Sequence, residues 1–405
     1  MLQNIKTAYF IGIKGVGMTA LAQILHNKGI KVWGSDIKEK FFTDEVLKKL
    51  KIKYIEGFNA NNIPKEVDLV ITSVAYLNKN NPEINRVKKL KLPLYTYPQV
   101  LAELFNKSYG IAIAGSHGKS TTTAMLGYIL EQAGFDPTVV VGSRVNQWGS
   151  NSRLGRSRYF IIEADEYRDA FLQYKPKMAV VTNIDYDHPD YFKNAQQYQR
   201  SFDRFIGQPS IEKIVTSTEK INYKKFNLKI LGEYNNSNAA LAYKAALKLG
   251  VNPQVARKAV ENFKGIARRF EYYGQFNDAK LYDDYAHHPT EIKAVITACR
   301  QKFPNKKIIV LFQPHTYSRT EGLFDNFIKA LQKADEAHIL KTYASAREYG
   351  QDKSGEELAK KLNAKYFKNH KEAAKFFKKK LNSNYVFLAL GAGNQWQILE
   401  FLLVE

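Results

Sequence analysis

Apolar residues in this chain fall into short runs, and between the runs they recur at helical spacing. The run at Thr7–Ile13 reads as a buried strand, and Thr19–Lys28 reads as a helix stopped by Gly29. Lys31–Gly34 begins a second strand closed by Ser35-Asp36, and Asp68–Ser73 is a third. Pro93 and Pro98 punctuate the way to a short helix at Leu101–Phe105, and Asn106-Lys107-Ser108 reads as a linker. The alternation then resumes. Ile111–Ala114 is a strand, and a helix opens at Thr121. Further strands are predicted at Thr138–Val141, Tyr159–Ile162, Met178–Thr182, Ile211–Thr216 and Leu228–Leu231, with helices at Asn238–Leu249 and Pro253–Phe263. Beyond Arg268-Arg269-Phe270-Glu271 strand and helix alternate again. The predicted elements are Ala279–Tyr282, Thr290–Lys302, Lys307–Phe312, Gly322–Lys333, Glu336–Leu340, Glu356–Leu362, Lys371–Lys380 and Val386–Leu390. Such alternation implies an α/β architecture with mostly parallel sheets.

Two of the strand-to-helix turns are rich in glycine. The first carries Gly12, Gly15 and Gly17 and is followed by Asp36, where a dinucleotide site would place an acidic ribose ligand. Lys14 stands at the second glycine position of GxGxxG, so the nicotinamide fingerprint fails. A nucleotide or diphosphate on the helix N-terminus is the better reading, with Lys14 as an extra cation. The second turn, in YGIAIAGSHGKSTTT (109–123), has the strand–loop–helix context of a phosphate loop. Gly115 and Gly118 let backbone approach an anion, Lys119 reaches the β- and γ-phosphates, and the Ser120 hydroxyl suits Mg²⁺. Ile113 stands where the strict spelling has glycine. The strands after this turn end in EADE (163–166) and TNIDYDH (182–188), so Ser120, Glu163, Asp165, Glu166 and His188 are candidates for one site. A hydroxyl, carboxylates and one imidazole favour Mg²⁺ over Zn²⁺. Later strand ends carry DDYAHHPTE (283–291), QPHTYSRT (313–320), YASARE (343–348) and GAGNQW (391–396).

Composition narrows this further. At 405 residues the chain exceeds one typical core. The pattern breaks divide it into a Rossmann-like domain at 1–107, a central phosphate-loop domain with a mostly parallel sheet at 108–264, and a Rossmann-like α/β domain at 265–405. The one cysteine, Cys299, excludes an internal disulfide framework and suggests a reducing compartment. No apolar run reaches membrane-span length, so a cytoplasmic protein is expected. The net charge of +22 raises a nucleic-acid-stimulated ATPase as a remote alternative. The lysines are spread along the chain and no nucleic-acid motif accompanies them, so neither a nucleic-acid nor a membrane partner is expected.

AGSHGKSTTT, EADE, TNIDYDH, NNSNAALA, ARRFE, DDYAHHPTE and FQPHTYSRT, in this order, resemble the Mur ligases of peptidoglycan synthesis. The resemblance spans nearly the whole chain, and IGIKGVGM followed by GSD is similar to the family's UDP-binding start. It implies a UDP-binding first domain, an ATP-binding second and a third that closes over the ATP. FQPHTYSRT favours the branch that adds L-alanine to UDP-N-acetylmuramate; the muropeptide-recycling branch, which attaches a tripeptide to the same sugar nucleotide, is the alternative.

By that resemblance Gly15, Val16, Gly17 and Met18 lie along the UDP diphosphate, with Asp36 and Ser73 near uridine and ribose. Arg153 faces the sugar or its lactyl carboxylate. Gly115, Ser116, His117, Gly118, Lys119, Ser120 and Thr121 hold ATP, Asn235 and Asn238 approach adenine, and Arg269 and Asp284 hold phosphate and ribose. Ser120, Glu163 and His188 position Mg²⁺. His287, His288, His315 and Arg319 face the substrate. The implied chemistry phosphorylates the carboxylate, and the acyl phosphate is then attacked by the amine. His188, His315 or solvent would accept the proton. A monomer or weak homodimer is expected. The chain departs from the family in four places: Tyr234 replaces the family's histidine before the adenine-side asparagine, TYPQVLAEL (96–104) of the first domain lacks the arginine that relatives often have there, the middle domain looks short between Thr216 and Glu233, and Asn194–Phe205 lacks the lysine that some relatives carbamylate.

Overall fold

The fold was analysed in a computed structural model, which describes residues 2, 4–77, 80–217, 225–344 and 353–404. Its frame is three separate sheets. The first holds β1 (Thr7–Ile11), β2 (Lys31–Asp36), β3 (Lys53–Glu56), β4 (Leu69–Thr72) and β5 (Leu94–Thr96), in the order β3-β2-β1-β4-β5. Every pairing in it is parallel. The order reverses beside β1, so a crevice opens where β1 and β4 end, at the Gly12 turn.

The second sheet holds β6 (Tyr109–Ala114), β7 (Thr138–Val145), β8 (Ser150–Arg153), β9 (Tyr159–Glu163), β10 (Met178–Val181) and β11 (Lys213–Thr216). Its order is β11-β10-β6-β9-β7-β8, parallel except for the β7–β8 hairpin. β6 is central. Its residues 111–114 are fully buried, as a strand covered on both faces requires. Ile113 pairs Val180 on one side and Glu163 on the other. A glycine at this position would leave a hole and forfeit about 1.5–3 kcal/mol of burial, which accounts for isoleucine where the generic loop has glycine.

The third sheet holds β12 (Glu271–Phe276), β13 (Ala279–Asp284), β14 (Lys307–Phe312), β15 (Glu336–Leu340), β16 (Tyr366–Phe367) and β17 (Tyr385–Leu390), in the order β12-β13-β17-β14-β15-β16. Only β12 is antiparallel. Asn277 and Asp278, both at positive φ, make the tight turn that returns β12 into β13. Two apolar clusters line the two faces of this sheet, around Phe312 and around Phe387.

By contact density the chain forms two compact units. One comprises 1–185, 199–229 and 237–266, and so contains both of the first two sheets; the other comprises 186–198, 230–236 and 267–405.

Most predicted elements are present with shifted ends. Three readings need correction. Leu228–Leu231 is not a strand but irregular backbone. The helix expected over Gly322–Lys333 is two, Tyr317–Gly322 and Phe324–Leu331, broken at Leu323 (φ −121°). Elements with weak patterning were missed, among them the helices Phe42–Lys49 and Pro82–Lys89 and the short strands β3, β5, β8, β12 and β16. Part of the YASARE segment, 345–348, lies outside the described residues.

Candidate active site

The phosphate loop leaves β6 at Gly115 (φ +133°) and enters the Lys119–Gln132 helix through Gly118 (φ +82°). Both φ values lie where only glycine is unstrained. A Cβ at Gly115 would collide with Thr182 Oγ1, and one at Gly118 with Asn238 Oδ1. The loop is therefore drawn against the end of β10 and the Glu233–Lys248 helix. Ser116 Oγ donates to Asp185 O (2.6 Å) and accepts from Asp185 N–H (2.8 Å). His117 N–H donates to Asn183 Oδ1 (3.0 Å), and His117 Nε2 lies 3.1 Å from Asp185. These contacts hold the loop open as a cradle of backbone around the helix N-terminus. Thr121 is buried in the first turn of that helix.

Lys119 curls back over this cradle. Its Nζ donates to Gly115 O, and lies 3.2 Å from Ser116 O and 2.9 Å from Glu166 Oε2. Burial, the largest influence, disfavours its charge, but the carboxylates of Glu166, Asp165 and Glu163 together more than offset this and the ammonium pKa is raised. Ser120 Oγ donates to Glu163 Oε2 at 3.0 Å, and Glu163 Oε1 accepts the Gly142 amide. The register of Ile113 with Glu163 is what brings that carboxylate level with the loop. Ser120 and Glu163, two of the three candidate metal ligands, thus sit together, and hard oxygen donors of this kind fit Mg²⁺. Glu166, quoted in EADE without a settled role, is the residue that holds the loop lysine. A buried ammonium requires an anion when no phosphate is bound, and that requirement was the available signal.

The first glycine turn handles charge differently. Lys14 is not an extra cation for a diphosphate, as its sequence position suggested. Its side chain is fully buried, donates to Glu39 O (2.6 Å), lies 3.4 Å from Asp44 and runs between the rings of Phe41 and Tyr54. Asp36 likewise faces its own backbone, accepting from Lys14 N–H (2.6 Å) and Ile37 N–H (2.7 Å). Gly15 begins the Val16–Asn27 helix, and Gly17 gives room to the Tyr97 ring, which a Cβ would meet at 2.7 Å. Met18 is buried in the core, its side chain 3.5 Å from where a Cβ on Gly15 would lie. Ser73 sits beside Gly12, its Oγ accepting from Ala75 N–H (3.3 Å). A polar clasp ties this turn to the β7–β8 hairpin: Asn151 donates to Val16 O (2.7 Å) and accepts from Gln23 (3.2 Å), and Ser150 donates to Gln23 (3.0 Å). Arg153, expected at the sugar, pairs Glu131 (2.9 Å) and Asp136 (2.7 Å) and donates to Pro137 O (2.7 Å).

The other compact unit holds His188, Asn235, Arg269, Asp284, His287, His288, His315 and Arg319. Arg268 and Phe270 both have positive φ, and this backbone presents Arg269 between them, over the Tyr285 ring and 3.6 Å from Glu291. Asp284 accepts from Phe270 N–H and Ala286 N–H, each at 2.7 Å; burial pushes its pKa up to about 6 against the pull of Arg269. It fixes the two loops that flank Arg269. His287 Nδ1 lies 3.0 Å from Tyr285 O, and burial lowers its pKa to about 4 although Glu291 opposes this. His288 caps the Pro289–Lys302 helix, accepting from Thr290 N–H (3.3 Å). Asn235 donates to Leu231 O (2.5 Å), and burial, with the charges of Asp284 and Glu291 against that of Arg269, pushes the Tyr234 hydroxyl pKa up. His188 (φ +58°) donates its N–H to Asp187 Oδ1 (2.6 Å). Arg319 makes a two-pronged ion pair with Asp187, a residue for which the sequence suggested no role.

Comparisons with known proteins follow this division. Three family models match in order: "Mur ligase family, catalytic domain" over residues 7–109, "Mur ligase middle domain" over 113–216 and "Mur ligase, glutamate ligase domain" over 268–393. The chain is 37% identical to a UDP-N-acetylmuramate–L-alanine ligase of Desulfitobacterium hafniense, covering 98% of this chain and 99% of that one. Among solved structures, a UDP-N-acetylmuramate-alanine ligase of Thermotoga maritima superposes with TM-score 0.82 at 26% identity, covering 98% of each chain. A murein peptide ligase of Psychrobacter arcticus gives TM-score 0.75 at 22% identity over 98% of each chain, a likeness of fold alone. The three sheets, the phosphate loop and these matches agree: this chain belongs to the Mur ligase family.

Proposed function

We propose that this chain is an ATP-dependent carboxylate–amine ligase that joins L-alanine to the lactyl carboxylate of UDP-N-acetylmuramate. The observation that carries the reading is the phosphate loop with Lys119 held at its mouth by Glu166 and Ser120 held by Glu163. Residues 1–107 take the sugar nucleotide, 108–264 the ATP, and 265–405 close the site. A carboxylate is a poor acyl donor because its leaving group would be oxide. Transfer of the γ-phosphoryl group makes an acyl phosphate, the alanine amine displaces phosphate, and an amide, ADP and phosphate result.

The first step brings anions together, so the residues that matter are those that offset charge. Lys119 exchanges Glu166 for a phosphate oxygen, a swap of one anion for another at the same ammonium. The glycine cradle and the helix N-terminus orient the phosphates, and Arg269 adds a cation from the third domain. Asn235 and Asn238 lie toward the base. Ser120, Glu163 and His188 would hold Mg²⁺, which supplies charge neutralisation for phosphoryl transfer. Water must be kept from an acyl phosphate until the amine attacks it. The enzyme is placed in the cytoplasm, where its nucleotide substrates are made, as a monomer or weak homodimer. No helix among the described residues is long and apolar enough to cross a membrane.

The test is phosphate release with each substrate omitted in turn. Release should require both UDP-N-acetylmuramate and L-alanine. Undiminished release without alanine, or a preference for the tripeptide over alanine, defeats the reading. Stimulation of ATP turnover by RNA without the sugar nucleotide would move the protein to another class.

A further inference from the structure

The far edge of the third sheet carries a groove that the reaction does not use. β16 is the last strand of that sheet, and the His370–Lys380 helix lies beside it. Between them opens a groove of about 620 Å³, lined by Lys365, Tyr366, Phe367, Lys375, Phe376 and Lys379. Its floor is aromatic. Phe367 is buried, Tyr366 and Phe376 are half-buried, and the Phe367 and Phe376 ring centroids are 5.5 Å apart. Its rim is cationic. β17, β14 and β15 stand between β16 and β13, the strand that carries Asp284, so the groove is apart from the candidate site.

The acids beside the groove are already engaged. Glu336 pairs Lys380 at 2.7 Å, and Glu372 accepts Lys368 N–H at 3.1 Å. Lys365, Lys375 and Lys379 are exposed, and among the described residues no ion pair reaches any of them. Lys371, Lys375 and Lys379 recur at i, i+4 and i+8, so like charges line one helix face, which opposes helix formation. Lys378–Lys380 suit the helix C-terminus, but Lys371 stands in the first turn, where the dipole disfavours a cation. The stripe therefore costs the helix stability and leaves its charge for a partner to neutralise.

The geometry separates the polyanions that could do so. A helix lying on a membrane inserts its apolar face, and here Ala373, Ala374 and Phe377 are buried in the core. Single-stranded nucleic acid stacks its bases on open aromatic faces, and Lys365 Nζ already covers the Phe376 ring at 4.3 Å. A second copy of this chain, at net charge +22, is repelled. An acidic polypeptide meets both parts of the groove. We propose that the groove docks a carboxylate-rich segment of a partner protein, with acids on Lys365, Lys375 and Lys379 and one apolar side chain on the aromatic floor.

Anisotropy titration of fluorescein-labelled peptides with the full chain tests this, at about 150 mM salt so that diffuse attraction is screened. The first probe is glutamate-rich, about ten residues long, with one central leucine; the second has serine in place of that leucine. Wild type should bind the leucine probe saturably, at least about fivefold tighter than the serine probe. Lys375→Glu with Lys379→Glu should weaken the leucine probe by about tenfold or more. Lys88→Glu with Lys89→Glu makes an equal charge change at exposed residues of the first domain and should weaken it by less than about twofold. Thermal melting checks that each variant is folded. Lys365→Gln, a single exposed change, should weaken the leucine probe by about threefold and decides the matter if the double variant unfolds. Absence of binding by wild type overturns the proposal. So do equal losses in the two double variants, which mark general attraction, and equal binding of the two probes, which marks an unused floor. Tighter binding of oligo-dT or of phosphatidylglycerol vesicles, lost on reversing Lys375 and Lys379, gives the groove to that class of partner and overturns it as well.

Discussion

The two glycine-rich turns are built alike and use charge in opposite ways. Each follows the central strand of a mostly parallel sheet, each has glycine at positive φ (Gly12 in the first, Gly115 and Gly118 in the second), and each feeds a helix. In the first turn the charges face inward. Lys14 is buried against Asp44 and two rings, and Asp36 accepts amides of its own turn. In the second turn Lys119 lies across the loop mouth on a carboxylate it can release. The difference teaches that a cation beside a glycine turn is no evidence for phosphate contact until its direction is known. A side chain that fills its own turn stabilises the fold. One held at the helix N-terminus by an exchangeable anion is available to a phosphate.

The largest expected effect follows from that contrast. Lys119→Ala should lower kcat on the order of 10²–10³-fold with the thermal transition retained, because it removes a charge stabiliser of the transferring group. A loss of less than about tenfold would put the second turn on the same footing as the first. Next come the glycines. Gly118→Val introduces a side chain at φ +82° against Asn238, and should raise KM for ATP by about tenfold or more without altering KM for UDP-N-acetylmuramate. Gly12→Val, at φ +87° beside Tyr76 and Ser73, should do the converse. Titrating each variant with both nucleotides checks the pair, and crossed effects would merge the two sites.

Smaller effects belong to the inward charges. Lys14→Met keeps the volume and should shift KM for the sugar nucleotide by less than about threefold, costing stability instead, on the order of 1–3 kcal/mol. A large KM rise with unchanged melting would restore Lys14 as a ligand. Asp36 should give the smallest signal. Burial, the dominant cause, raises its folded pKa above the ordinary 3.8, against the amides and Lys14. The folded state therefore binds the proton more tightly than the unfolded state. Its stabilising contribution is complete below about pH 3.8 and is lost as pH rises through the folded value. Denaturant unfolding of wild type and Asp36→Asn across acid pH should show this decline in wild type only.

The sequence revealed the fold class because its strands are short apolar runs and its turns are glycines with a local need for positive φ. Central strands such as β6 were the clearest, since burial on both faces leaves no polar interruption. β3, β5 and β16 were missed because they are only two to four residues long, too short to show a period, and take strand geometry from the neighbour they pair with. Leu228–Leu231 erred the other way, as an apolar stretch without a partner strand.

At the candidate site, the residue types legible in order were those whose chemistry is local: Gly115 to Ser120, and the acids and imidazole at the strand ends. Their family resemblance is matched by all three family models. What the linear order could not supply was partnership. Nothing in the sequence joins Asp187 to Arg319 across 132 positions, or gives Glu166 to Lys119 while sending Lys14 inward. Hydrophobic periodicity and glycine conformational freedom act within a few residues, so the sequence alone determines elements and turns. The direction of a buried charge depends on which opposite charge the tertiary fold brings within hydrogen-bond reach, and only the packed structure decides that.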